Sequence, residues 1–300
     1  MSHRPPPTVP DLVDLEQMFQ QAFATGREGE LDVIGYGEIS SVVRWETDEG
    51  PIAAKRLPNY ATAEQRRAHL DLMREYIEVL GNLGVEVLPT RFEELDAGDG
   101  SYVAYAIQAF IEPQYLVSAM LSSAPAADAE RLLGSIIRKA AAVASHPMYG
   151  LDTQLSNWVN TPDGLRYLDI TTPFMRDEAT GLARLDTSIF VASLPWLLRW
   201  PVQRFLAEDI VAQYFDLRTT LIDTIANLTK EKAADWIPKA VDLASQEVDD
   251  PITIEEVGRY YRKDRRLWAV LQRLRRLDRW WQLRVRRQPY PVLLPGPIER

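Results

Sequence analysis

Cysteine is absent from the chain. Its absence excludes disulfides, thiolate nucleophiles and the cysteine-based zinc and iron–sulfur sites, and agrees with a reducing, cytoplasmic setting. Histidine is scarce. His3, His69 and His146 are the only three, and they lack metal-ligand spacing. Long apolar runs are also missing. The most lipid-like stretch, Ile189–Leu198, contains Pro195, whereas about 20 apolar residues are needed to span a bilayer. It reads as buried core, with no membrane partner expected. The start, Met1 to Pro7, has no apolar core of the kind a secretory signal needs. Positive charge is in deficit, with a net charge of −9, which disfavours nucleic acid as a partner of the whole surface.

What is present is a soluble composition, 46% hydrophobic and 26% charged over 300 residues, enough for one large domain or two lobes sharing a cleft. Residues 1–10 are Pro-rich and read as disordered. Apolar spacing predicts a helix over 11–25, completing an N-terminal extension over 1–30. Three β-like runs follow, Leu31–Tyr36, Ser41–Thr47 and Pro51–Leu57, with connections too short for parallel crossovers. A long helix is expected over Ala63–Leu83, stopped by Gly84. Strands are expected over Val85–Leu95 and Tyr102–Ile111. After Pro113 the pattern turns helical, with an Ala-rich helix over Ala126–Ala144. A small hairpin at Trp158–Asn160 and Leu165–Ile170 is joined by the turn Thr161-Pro162-Asp163-Gly164. The expected fold class is α+β, with an antiparallel β-rich half over 31–112 and a mainly helical half over 113–300.

Four pieces of sequence carry chemistry together. Ile34-Gly35-Tyr36-Gly37-Glu38-Ile39-Ser40-Ser41-Val42 sets two glycines in a turn between strands, where exposed amides can approach phosphate oxygens. Ala53-Ala54-Lys55-Arg56 sets a lysine on the next strand. Glu75, beside Leu72 and Val79 on the long helix, or alternatively Glu78, is the carboxylate that can anchor that lysine. The fourth piece is Tyr149-Gly150-Leu151-Asp152-Thr153-Gln154-Leu155-Ser156-Asn157, followed by the hairpin and Tyr167-Leu168-Asp169. It returns a second carboxylate beside an amide, the oxygen set that phosphoryl transfer uses.

Over about residues 31–175 these motifs resemble the protein-kinase-like superfamily, nearest in style to aminoglycoside phosphotransferases and related bacterial small-molecule kinases. The separations agree too: 18 residues from Gly37 to Lys55, 97 from Lys55 to Asp152 and 12 from Asn157 to Asp169. The resemblance implies a two-lobed kinase-like fold that binds ATP and Mg²⁺ and acts on a small-molecule hydroxyl. It places Gly35, Gly37 and Ser40 in the phosphate-covering loop and makes Lys55 the phosphate-binding lysine with Glu75 as its partner. Ile111 to Gln114 becomes the adenine-pairing linker. Asp152 becomes the catalytic base, Asn157 and Asp169 the metal ligands. Gln154 stands where such enzymes carry a basic or imidazole group. Gly150-Leu151 precedes Asp152 where a bracing histidine is usual, and Ser40 replaces a third glycine. These departures keep open a nucleotide-binding module without turnover. A kinase-fold enzyme acting on protein or RNA is the third alternative.

The segment Arg259–Arg287 carries 12 Lys/Arg and 2 Asp/Glu, a balance of +10, against 22 basic and 41 acidic residues, or −19, elsewhere. Trp268, Leu271, Leu274 and Leu277 recur near helical spacing. The basic C-terminal helices, 255–288, are therefore expected to dock intramolecularly by that seam and their aromatics.

Overall fold

The computed structural model describes residues 12–37, 39–97, 100–191, 194, 195, 198 and 211–295. The Pro-rich start, Glu38 and part of the apolar stretch Ile189–Leu198 lie outside the described residues. Helix α1 (Leu12–Thr25) leads into β1 (Asp32–Tyr36), β2 (Ser41–Thr47), β3 (Gly50–Arg56), α2 (Ala63–Asn82), β4 (Thr90–Ala97) and β5 (Ser101–Ala109). Then come α3 (Val117–Ser123), α4 (Ala126–Ala144), the hairpin β6 (Trp158–Thr161) and β7 (Gly164–Tyr167), and the short α5 (Ser188–Val191). Helices α6 (Leu217–Lys230), α7 (Ile237–Ala244) and α8 (Ile254–Trp281) complete the mixed α+β chain.

The five larger strands form one antiparallel sheet in the order β1-β2-β3-β5-β4. Alternation along β3 sends Ile52, Ala54 and Arg56 to one buried face and leaves Ala53 and Lys55 on the other. Helix α1 covers the first face, packing Leu15, Phe19 and Phe23 against Val43, Ile52 and Tyr105. Within that apolar layer Glu16 takes two hydrogen bonds from Arg56, at 2.9 and 2.8 Å, and a third from the Tyr105 hydroxyl at 2.5 Å. The chain's far end joins the same layer through Leu293, and the Tyr290 amide donates to the Phe23 carbonyl. The helix read as part of an extension over 1–30 is thus built into the sheet half.

Helix α2 lies on the other side. Thr62 caps its start by accepting from the Gln65 amide, and Gly84 follows its end at φ +80°, a conformation glycine adopts without strain. Its buried stripe includes His69, Met73, Tyr76 and Leu80. The strand expected from Val85 begins in the sheet only at Thr90. Before that, the Leu88 amide donates to the Tyr167 carbonyl and the Tyr167 amide to the Glu86 carbonyl, each at 2.8 Å. The apolar run is extended, as its composition suggests, but its amides and carbonyls are taken by β7. That joins the sheet half to the helical half.

The basic segment forms one long helix, α8, started by a reciprocal box between Thr253 and Glu256 and continued by a π-helical turn, Gln282–Arg286. It packs on α6, with Val257 buried. Of the expected seam, Trp268, Leu271 and Leu274 are half-buried, whereas Leu277 is 58% exposed, and neither Trp280 (53%) nor Trp281 (43%) is docked. In this half of the helix the buried positions are Gln272, Arg275 and Asp278. Among the described residues no helix is long and apolar enough to cross a membrane.

Candidate active site

The cross-strand register brings the sheet's contribution together. Gly35 pairs with Val42, Val42 with Lys55, and Lys55 with Ala106. From this row the Lys55 ammonium reaches the helical half, donating to Asp169 Oδ1 at 2.8 Å and Thr171 Oγ1 at 2.7 Å. The Thr171 hydroxyl and amide also donate to that carboxylate oxygen, at 2.7 and 3.2 Å. Burial alone would raise the Asp169 pKa, but Lys55 and Thr171 outweigh it and hold the carboxyl below its ordinary value. An ammonium has three donors; two are used here and one remains.

Neither Glu75 nor Glu78 is the lysine's partner. Helix α2 turns His69, Met73 and Tyr76 inward, which puts Glu75 off the buried stripe and Glu78 on the exposed side. Glu75 instead accepts a bidentate pair from Arg184, at 2.5 and 2.7 Å, in a setting where its side chain is 46% exposed. The helix meets the site through His69. Its Nε2 donates to the Thr171 carbonyl at 3.2 Å, which leaves Nδ1 to accept from the Tyr60 hydroxyl at 2.8 Å. Burial lowers the pKa of this imidazole to about 4, so it is neutral at physiological pH.

At the edge of the sheet the β1–β2 turn closes by a hydrogen bond from the Gly37 amide to the Ser40 carbonyl, at 2.9 Å. A Cβ on Gly37 would lie 2.7 Å from Ser40 Oγ and 3.2 Å from the Ser40 carbonyl oxygen, so a side chain there would crowd the turn and displace the Ser40 hydroxyl. Gly35 sits at an irregularity of the β1–β2 register and has ordinary space around it. Ser40 is itself buried, and its backbone holds the turn. Ile111 and Gln114 lie where β5 leaves for the helical half, half-buried and exposed respectively.

Asp152 sits in the loop between α4 and β6. Its Oδ1 accepts from the Gln154 amide at 3.1 Å. Burial, then the charge of Asp223 and more weakly that of Asp169, raises its pKa to about 7. Among the described residues no histidine is hydrogen-bonded to Asp152. Gly150 braces this loop by its backbone: its carbonyl accepts from the buried Tyr76 hydroxyl at 2.7 Å and its amide donates to Phe174 at 2.9 Å. A Cβ there would come within 2.5 Å of the Tyr214 carbonyl oxygen. Only glycine permits that approach. Asn157, in the next turn, directs its amide nitrogen at the Asp152 carbonyl at 3.5 Å.

Helix α6 supplies what the sequence did not announce. Lys230 donates to Gln154 Oε1 at 3.0 Å, and Gln154 Nε2 reaches Asp223 Oδ2 at 3.4 Å. Glu231 accepts from the Ser156 amide at 3.0 Å, fixing the turn that carries Asn157. Burial raises Asp223, opposed by a hydrogen bond from Tyr260 of α8 and by the charge of Lys230. Burial also raises Glu231, and the Lys230 charge opposes the rise there and, more weakly, at Asp152. Gln154 therefore links a cation to the acidic loop without carrying charge itself.

Oxygen donors for a cation are at hand. Every donor to Asp169 among the described residues goes to Oδ1, leaving Oδ2, and Asn157 Oδ1 receives none. No cluster of three or more His, Cys, Asp or Glu that could hold a metal alone occurs among the described residues. Two oxygens fit a Mg²⁺ ion, which keeps waters and takes its other ligands from phosphates.

A family described as "Family of unknown function (DUF6206)" matches residues 14–279, and the chain belongs to it. No curated protein matches the chain.

Proposed function

We propose that this member of the DUF6206 family is a kinase-like phosphotransferase that binds ATP with Mg²⁺ and passes the γ-phosphoryl group to a small-molecule hydroxyl. The observation that carries the reading is the 2.8 Å contact between Lys55 and Asp169, residues 114 apart in sequence and on opposite halves of the molecule. The strand order β1-β2-β3-β5-β4, with α2 inserted between β3 and β4, supports a kinase-like sheet half.

In this reading the Gly35–Ser40 turn covers the phosphates and the remaining Lys55 donor binds them. Asp169 and Asn157 hold Mg²⁺, which when bound offsets phosphate charge. Asp152 accepts the proton of the acceptor hydroxyl as its oxygen bonds to the γ-phosphorus and the bond to the β-phosphate oxygen breaks, releasing ADP. A base with a pKa near 7 suits that step at neutral pH. The direct test is MgATP binding, followed as a rise in unfolding temperature that Lys55→Ala and Asp169→Asn reduce.

Lys230 is assigned the role of the cation missing at Gln154. Lys230→Met is expected to lower MgATP-dependent ADP release about tenfold or more, since each tenfold corresponds to roughly 1.4 kcal/mol of transition-state stabilisation. Gln154→Lys in the Lys230→Met background restores most of the loss. If the double variant stays as slow as the single one while both melt like wild type, Lys230 is not acting through its charge at Gln154.

A further inference from the structure

In its second half helix α8 buries three polar side chains and leaves several apolar ones exposed. Gln272, Arg275 and Asp278 are buried there, while Leu267, Val270, Leu277, Trp280 and Trp281 are exposed on the far side, followed by Val285 in the π turn. Lys263, Arg266, Arg273 and Arg284 are interleaved with them and likewise exposed. Successive 100° steps put Lys263, Arg266, Val270, Leu277 and Trp281 on one side, away from Asp264 and Arg275, with the buried Asp278 at its border. Asp264 and Asp278 are the only acids between Arg259 and Arg287, so the outer face has no carboxylate of its own. From Leu267 to Val285 it runs about 27 Å at 1.5 Å per residue.

We propose that this outer face docks on an anionic lipid bilayer, lying flat in the interface rather than crossing it. Aliphatic and indole side chains supply the depth, and arginine stems run along the apolar surface with their guanidinium groups at phosphate level. The +10 balance of the segment complements a negative headgroup layer, while the −19 elsewhere turns the rest of the surface away. Single-stranded nucleic acid would stack on Trp280 and Trp281 but leave Leu267, Val270, Leu277 and Val285 without a role. A second copy offers acidic surface, but joining two unlike surfaces builds a ring or a head-to-tail filament rather than a two-fold dimer. The proposal does not rest on the nucleotide reading, since no residue of the cleft takes part.

The full chain is sedimented with phosphatidylcholine vesicles, with and without phosphatidylserine. Binding is expected only when phosphatidylserine is present, and added salt weakens it. Trp280→Ala with Trp281→Ala, and separately Arg266→Glu with Arg273→Glu, each weaken binding about tenfold or more without changing the melting temperature. Absence of vesicle binding overturns the proposal, as does binding unchanged in both variants. If the same variants lose single-stranded RNA binding or self-association while vesicles are not bound, the face belongs to nucleic acid or to a second copy, and the lipid assignment is wrong.

Discussion

Replacing Asp152 by Asn is expected to leave MgATP binding in place while ADP release and phosphoryl transfer fall by about 10²-fold or more. The carboxylate is half-buried, and its Oδ1 is engaged by one backbone amide. Lys55 and Asp169, by contrast, meet directly between the sheet half and the helical half. In the proposed reading a group with the placement of Asp152 serves the acceptor hydroxyl rather than the nucleotide. The amide of Asn can still accept from Gln154, so the loop keeps its shape, but it cannot take a proton. Equal turnover in variant and wild type removes Asp152 from the base role. Wild-type protein that binds MgATP but never turns over, with any acceptor, shifts the assignment to a nucleotide-binding module.

The largest stability effect is expected at the back of the sheet. Glu16→Ala leaves the Arg56 guanidinium buried in an apolar layer without its carboxylate, and breaking such a buried pair costs about 3–5 kcal/mol. Only 2% of the Arg56 side chain and 5% of the Glu16 side chain are exposed. The Arg56 guanidinium also lies 4.9 Å from the Phe23 ring centroid, so relaxation toward water means moving α1. Arg56→Met in the Glu16→Ala background is expected to recover part of the loss, because both charges are then gone. Burial would raise the Glu16 pKa, yet Arg56, Tyr105 and Gln20 together keep it below 4.5. A depressed carboxyl stabilises the fold above its unfolded pKa and loses that contribution as pH falls through the folded value. Wild type therefore weakens in acid through Glu16, and the Glu16→Ala variant lacks that component. Denaturant unfolding at neutral and acid pH measures both; a cost below about 1 kcal/mol would contradict the buried-pair account.

Much of the fold was legible because period and punctuation agreed. The α4 helix falls over Ala126–Ala144 as its spacing indicates, and Thr161-Pro162-Asp163-Gly164 turns the β6–β7 hairpin with Gly164 at φ +116°. Of the candidate site, Lys55 could be picked out from its strand after the glycine turn, and Asp152, Asn157 and Asp169 from the distinctive residue order around the hairpin. Glu75 misled because a border position on a helix stripe looks inward in one dimension; the stripe is centred on His69, Met73 and Tyr76, and Arg184 claims the carboxylate from outside. Asp223, Lys230 and Glu231 were invisible because α6 is an ordinary amphipathic helix some 70 residues after the Asp152 loop. Only packing against that loop gives them a role. On α8 the pattern picked out Trp268, Leu271 and Leu274, which are half-buried, but also Leu277, Trp280 and Trp281, which are exposed, since apolar spacing cannot say whether protein or another surface covers each position.

The central claim is that Lys55, Asp169 and Asn157 form a MgATP site, and thermal unfolding in the presence of nucleotide tests it most directly. A ligand that binds only the folded chain at about 100 times its Kd adds roughly 2.7 kcal/mol of stability. Wild type should melt higher with MgATP, less so when the metal is chelated, and the rise should shrink sharply in Lys55→Ala and in Asp169→Asn. No rise at about millimolar MgATP, or an equal rise in wild type and both variants, would contradict the site as assigned.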